Sequence, residues 1–342
     1  MARVRWYVDH DALARGEPGL VHSFIGSLAT AIDCAGFVVD PVQLMGSSGF
    51  AFRLWVEDRL LPNAMNAFDW QTELTSAVHR AGFDCAYFES SLNGDPEDDT
   101  ARRRAHDAVR RSIDSGTPAI AWDLNDPPMW GLIVGYNDHT RIYDTMSSWN
   151  YRIPLGYDRL GRRDVKRLSV LVLGEAWDPD ESEVLRQILR AAVDHARGRE
   201  GNPYRCCTSG LAAYDRWVAA LTPGTLADHE LQFADYYAET FLSFRCYARD
   251  YLLRQAHDRR LQDAGYAYGR VAAHLDTSLH LLVTHKQHPG RILEQAASCV
   301  EGAATEERRA IEFLEAYLAH PNSGAASQRP DKTQVVDIPA SE

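Results

Sequence analysis

No run in this 342-residue chain approaches the ~20 consecutive apolar residues that span a bilayer, so no membrane-spanning helix is expected. Basic residues are in deficit: 36 Lys and Arg stand against 48 Asp and Glu, for a net charge of −12. That balance argues against a nucleic-acid partner, because neutralising phosphates takes a basic surface. The opening Met1-Ala2-Arg3-Val4-Arg5-Trp6-Tyr7 lacks the apolar region of a signal peptide and reads as a strand. A cytoplasmic protein without membrane attachment is expected. Cysteine is sparse, at 34, 85, 206, 207, 246 and 299, with no Cys-x-x-Cys pair. Reduced thiols in the core are expected, with no cofactor. Among the helical histidines only His285 and His288 have metal-ligand spacing, and His288 adjoins the stop Pro289-Gly290, so no metal site is expected. No internal repeat is visible.

Apolar residues make up 45% of the chain, enough for a core, and the length suggests two domains. Residues 20–174 read as mixed α and β. Ser23 is a suitable helix N-cap, and Phe24, Ile25, Leu28, Ala31, Ile32 and Ala35 follow at helical period to the stop Gly36. Further helices are expected over 70–81 and 99–115. Strands are expected at 119–122, 132–136, 141–143 and 168–173, with connections short enough for an antiparallel sheet. Glu175 to Asp180 breaks the pattern. Beyond it, helices are expected at 181–197, 206–221, 228–262 (breaking near its end), 265–286, 290–301 and 305–319. The organisation expected is an α+β domain over 1–175, an α-helical domain over 181–320 and a disordered tail over 321–342, whose Ser, Asn, Pro, Gln and Ala cannot build a core.

Two segments carry a resemblance: His22-Ser23 followed by the helix to Gly36, with Met45-Gly46-Ser47-Ser48-Gly49-Phe50-Ala51-Phe52 behind it, and Trp130-Gly131-Leu132-Ile133-Val134-Gly135-Tyr136-Asn137. Together they resemble the family named for the N-terminal domain of butirosin biosynthesis protein H. More distantly they are similar to the leader-cleaving peptidase domains of bacteriocin exporters. The resemblance implies a papain-like fold over about the first 150 residues. In that layout a cysteine nucleophile starts the first long helix, and a strand ending Gly-Tyr-Asp begins with the catalytic histidine. Here Ser23 stands at the nucleophile position and Trp130 at the histidine. Asp144 is the aspartate that the following strand would deliver. No glutamine precedes Ser23 to form an oxyanion hole. The resemblance implies acyl transfer or amide hydrolysis, and for the butirosin protein transfer of an aminoacyl group from a carrier protein to an aminoglycoside.

Residue chemistry narrows this. Serine needs a well-placed base to become nucleophilic. His139 lies at the far end of a strand of roughly 20 Å and cannot supply it; His22 diverges from its neighbour; His79 or a histidine of the helical half remains. Ser23 is therefore read as an N-cap, a nucleophile or a ligand contact at an anion-attracting helix start. Asp144 is either the acid of a former triad or a turn acid. Asp123 is either an Asx-turn residue or a carboxylate lining the cleft above Ser23. Alternation puts Arg53 on a face with Ala51 and Trp55, where it either holds a carboxylate or phosphate or forms a structural ion pair. Arg102 to Arg104 and Arg110-Arg111, balanced by acids from Asp95 to Asp99, read as a solvated helix face. Tyr236-Tyr237 and Tyr266-Ala267-Tyr268 read as bundle packing. The expectation is a catalytically altered papain-like protein of bacterial specialised metabolism. It binds a small metabolite or an acyl or peptidyl group with His22, Arg53, Asp123 and Trp130. The alternative is an acyl or aminoacyl transferase or amide hydrolase using Ser23 or direct transfer. A small molecule or thioester, with a carrier protein to present it, is the expected partner, and a homodimer is compatible with either reading.

Overall fold

The computed structural model describes residues 20–320 apart from 92–95, 125–126, 149, 202–205, 228–229, 231, 256 and 285–288. The expected N-terminal strand, the tail over 321–342 and the His285/His288 pair lie outside the described residues.

In chain order the helices are α1 Ser23–Cys34, α2 Pro41–Ser48, α3 Trp70–Arg80, α4 Pro96–Asp114, α5 Glu181–Ala196, α6 Leu211–Ala220, α7 Gln232–Arg254, α8 Arg259–Thr284 and α9 Pro289–Ala319. The strands are β1 Trp55–Glu57, β2 Phe83–Ser90, β3 Ala119–Ala121, β4 Gly131–Asn137, β5 Ile142–Met146, β6 Arg152–Gly156, β7 Leu168–Ala176 and β8 Cys207–Ser209. Six strands form one sheet in the order β2-β7-β3-β4-β5-β6, with every neighbouring pair antiparallel. The fold is α+β.

Side-chain alternation gives the sheet two apolar faces. Ala119, Ala121, Ile133, Tyr143 and Val170 join Ala105, Ala108 and Val109 of α4 in one cluster. Ile120, Leu132, Met146 and Leu171 turn the other way and join Phe24, Ile25 and Leu28 of α1. The sheet therefore lies between α1 and α4.

Local chemistry explains the helix starts. Asp40 accepts from Val42 N (2.9 Å) and Gln43 N (3.3 Å), with Pro41 at the first helical position of α2. Asp69 caps α3 through Thr72 N (2.7 Å), and Asp180 caps α5 through Ser182 N (2.9 Å). At α1 the N-cap expectation for Ser23 is corrected. Ser23 is the first helical residue, His22 holds the cap position, and no side chain caps the helix.

The Gly-rich run folds as α2 and a 3-10 turn over Phe50–Phe52, which replaces the expected alternation there. Gly46 is needed because a Cβ would sit 2.1 Å from the Tyr251 ring of α7; Gly49 ends α2 in the left-handed region (φ 88°). Residues 207–209, expected as helix, pair instead with β1 as a two-stranded ribbon. The two helices expected over 290–301 and 305–319 are one, since Gly302 stays helical beneath the His274 ring, whose Cε1 leaves no room for a Cβ.

At 175–181 the chain passes from sheet to helices, yet the hydrophobic cluster is continuous from Leu20 to Tyr317. Beyond the β1–β8 ribbon, Tyr237 donates to Leu61 O (2.9 Å). Fully buried Arg245 donates to Ala51 O (3.1 Å) and Arg53 O (2.8 Å), while a double hydrogen bond to Glu307 (2.7 and 2.8 Å) balances its charge.

Candidate functional site

Trp130 directly precedes β4 and has no exposed surface. Its ring packs against Phe24 of α1 (5.3 Å between centroids), Trp70 of α3 (5.1 Å) and Trp122 (5.4 Å). Its indole N–H donates to Asn66 Oδ1 (3.3 Å) and its backbone N–H to Ser23 Oγ (3.3 Å). The half-buried Ser23 hydroxyl therefore meets an amide and an aromatic cluster, with no base bonded to it among the described residues. As a ligand contact Trp130 is misplaced, because it is core.

His22 is no better placed to act as a base. It is 6% exposed, and its ring lies 4.6 Å from that of Phe50. Nε2 is 3.5 Å from Met65 O, and Nδ1 has no partner among the described residues. Burial lowers its pKa to about 4, only partly offset by the Met65 carbonyl, so the imidazole is neutral. His79 stands nine residues beyond Trp70 on α3, about 13 Å along the helix, and its ring lies tilted against that of Trp177 (4.6 Å between centroids).

Asp144 lies inside β5, not in a turn, and shares with Met146 the sheet face toward α1. Its carboxylate pairs with Arg152 of β6. Asp123 adopts a left-handed backbone (φ 61°) just past β3 and is 1% exposed. Its Oδ2 accepts from Asp164 N (2.9 Å) and Val165 N (3.0 Å), and its carbonyl from Arg163 Nη1 (3.0 Å). It tethers the loop before β7 instead of lining a cleft. Burial raises its pKa against those two amide bonds, and Oδ1 has no partner among the described residues.

Arg53 does border open space. A cleft of about 520 Å³ is floored by Trp55 and Phe68 and edged by Asp69, Thr72, Glu73, Glu200 and Ser209. The guanidinium pairs with Glu73, meets both oxygens of Glu200 (3.1 and 3.2 Å) and lies over the Trp55 ring (5.3 Å). Behind it His195 places Nδ1 2.9 Å from Glu200 Oε2, while its Nε2 faces both Leu54 N (2.9 Å) and Leu54 O (3.0 Å). Burial lowers the His195 pKa, although the Glu200 bond opposes it. Burial pushes the Glu200 carboxyl up, but the His195 bond and Arg53 hold it below its usual range.

Sequence reasoning isolated Arg53 and missed its partners. Glu73 is 20 residues away and Glu200 147 residues away, the latter inside a segment that reads only as a helix stop. No spacing signal could have joined them. Of the expected site residues, Ser23, Trp130 and His22 converge at the start of α1, Asp123 and Asp144 serve separate contacts, and Arg53 lines an open cleft formed by described residues. No disulfide joins the six cysteines among the described residues, and Cys206 is exposed. The described residues hold no cluster of potential metal ligands, and none of their helices is long and apolar enough to cross a membrane. The chain matches no family model and no curated protein.

Proposed function

We propose that this chain is a papain-like protein without peptidase chemistry, of bacterial specialised metabolism, and that it binds a small metabolite or an acyl or peptidyl group. The burial of Trp130 carries the reading. Where a peptidase needs a histidine beside its nucleophile, an indole locked among Phe24, Trp70 and Trp122 leaves Ser23 without a base among the described residues.

Binding belongs to the Arg53 cleft. Its three carboxylates outnumber its one guanidinium, and its floor is aromatic, which favours an amine-bearing ligand through charge and cation–π attraction. The same preference fits direct aminoacyl transfer, in which the cleft holds the acceptor amine beside a thioester presented by a carrier protein and positioning does the work. Calorimetric titration of the whole protein with polyamines, aminoglycosides and peptides tests the binding reading. Saturable amine binding weakened about tenfold by Glu73→Gln is expected. Absence of binding across the panel overturns it. Intact-mass spectrometry with acyl-pantetheine thioesters tests the alternative: an adduct lost in Ser23→Ala would establish a serine-dependent acyltransferase instead.

A further inference from the structure

A second hollow, of about 460 Å³, opens on the α4 face of the sheet, opposite α1. Arg102, Arg103 and His106 line it from α4, Arg141 from the turn between β4 and β5, and Tyr143 and Tyr157 from below. In sequence these arginines read as a solvated helix face; the fold sets them against Arg141 and two aromatic rings.

Its charges are unevenly satisfied. Asp99 serves both Arg102 (3.9 Å) and Arg162 (3.5 Å). Asp138 takes Arg110 (3.2 Å) and the Tyr157 hydroxyl (3.1 Å). Arg103 has the Thr100 hydroxyl (3.0 Å), and Arg141 lies over the Tyr157 ring (5.6 Å); neither has a carboxylate partner among the described residues. Asp107 on the rim is the one opposing charge not already counted among the described lining residues. Arg141 also holds a left-handed backbone (φ 55°), an unfavourable conformation for a long side chain, fixed where Tyr157 N donates to its carbonyl (3.0 Å). The Tyr143 hydroxyl lies 2.6 Å from His106 Nδ1. Burial raises the Tyr143 pKa, so this phenol keeps its proton; in the tautomer that accepts it at Nδ1, His106 presents Nε2–H as a donor. That nitrogen is 3.8 Å from Asp138 Oδ1, beyond hydrogen-bond range.

We infer that this hollow is a phosphate site: Arg103, Arg141 and His106 Nε2–H receive the phosphoryl group of a phosphorylated small molecule, with Tyr157 beneath it. Two guanidinium forks and an imidazole N–H suit a tetrahedral oxyanion better than a planar carboxylate, which one fork already saturates. The site is separated from the Arg53 cleft by the sheet, so it stands or falls independently of the amine-binding reading.

The test is titration of the full chain with inorganic phosphate, pyrophosphate and glycerol phosphate, followed calorimetrically at ionic strength held constant with chloride. Saturable binding that Arg141→Gln weakens at least tenfold, and that Arg103→Gln with Arg141→Gln abolishes, is the expected result. Tighter binding of glycerol phosphate than of inorganic phosphate would extend the site to the ligand's organic part. Unchanged melting temperature and unchanged amine titration would show the variants folded. Absence of saturable phosphate binding, or equal binding by the folded double variant, would overturn the inference.

Discussion

Replacing Trp130 by alanine separates a packed indole from one that roofs a ligand cleft. The side chain is wholly buried, meets three aromatic rings at 5.1–5.4 Å between centroids, and donates to Asn66 Oδ1. Truncating a buried Trp to Ala costs about 3–5 kcal/mol, combining lost transfer free energy with the cavity left behind. Removing the donor also strands Asn66, which places Trp130→Ala near the middle of that range or above, about 4 kcal/mol. With a urea m-value of about 3 kcal/mol/M, the unfolding midpoint falls by about 1.3 M. The assay is urea denaturation read by far-UV circular dichroism, so that loss of a fluorophore does not confuse the signal. A midpoint shift below about 0.3 M, under ~1 kcal/mol, would refute the reasoning. It would mean that solvent or ligand, not protein, surrounds the indole.

Glu307→Gln leaves the Arg245 charge uncompensated and is expected to cost about 3–5 kcal/mol. With about 2.1 cal/mol/K of unfolding entropy per residue, ~300 folded residues translate this into a melting temperature about 5–8 °C lower by calorimetry. Adding Arg245→Met should recover only part of it, since the carbonyls of Ala51 and Arg53 lose their donor; full recovery would mean those bonds contribute nothing. His22 has a folded-state pKa of about 4 against an unfolded value near 6.5. Above pH 6.5 both states are neutral; as pH falls toward 4 the unfolded state gains the proton first, so stability drops by roughly 3 kcal/mol across that window. His195 acts in the same direction, so the comparison is with His22→Leu, whose denaturation midpoints between pH 7 and pH 4 should fall less steeply; equal slopes would contradict a neutral buried His22.

The strands that could be anticipated are the central ones. β3, β4 and β7 are short apolar runs bounded by turn residues, and burial on both faces makes them conspicuous. The missed strands of the large sheet, β2 and β6, are its two edges. β2 has irregular burial and a bulge between Phe83 and Cys85, and β6 carries Pro154, tolerable at an edge and misleading in sequence. At the candidate site, a serine before an apolar helix suggests an N-cap, but the local signal cannot reveal that an amide 107 residues away claims its hydroxyl.

Sequence alone determined what local chemistry controls: the helical period behind Ser23, the starts of α3 and α5, the glycine stop at Gly36, the acidic charge balance and the mixed α and antiparallel β class. Tertiary structure decided what each polar side chain is for. Arg53 reads identically whether it awaits a ligand or already holds Glu73 and Glu200, because those carboxylates arrive from α3 and from the turn after α5. Trp130 reads as a substitution in a catalytic position until Phe24, Trp70 and Trp122 close around it. Arg103 reads as part of a solvated helix face and Arg141 as the start of a strand until the fold places them across one hollow. Periodicity and capping act over a few residues, whereas desolvation and charge pairing depend on which distant segments the core brings together.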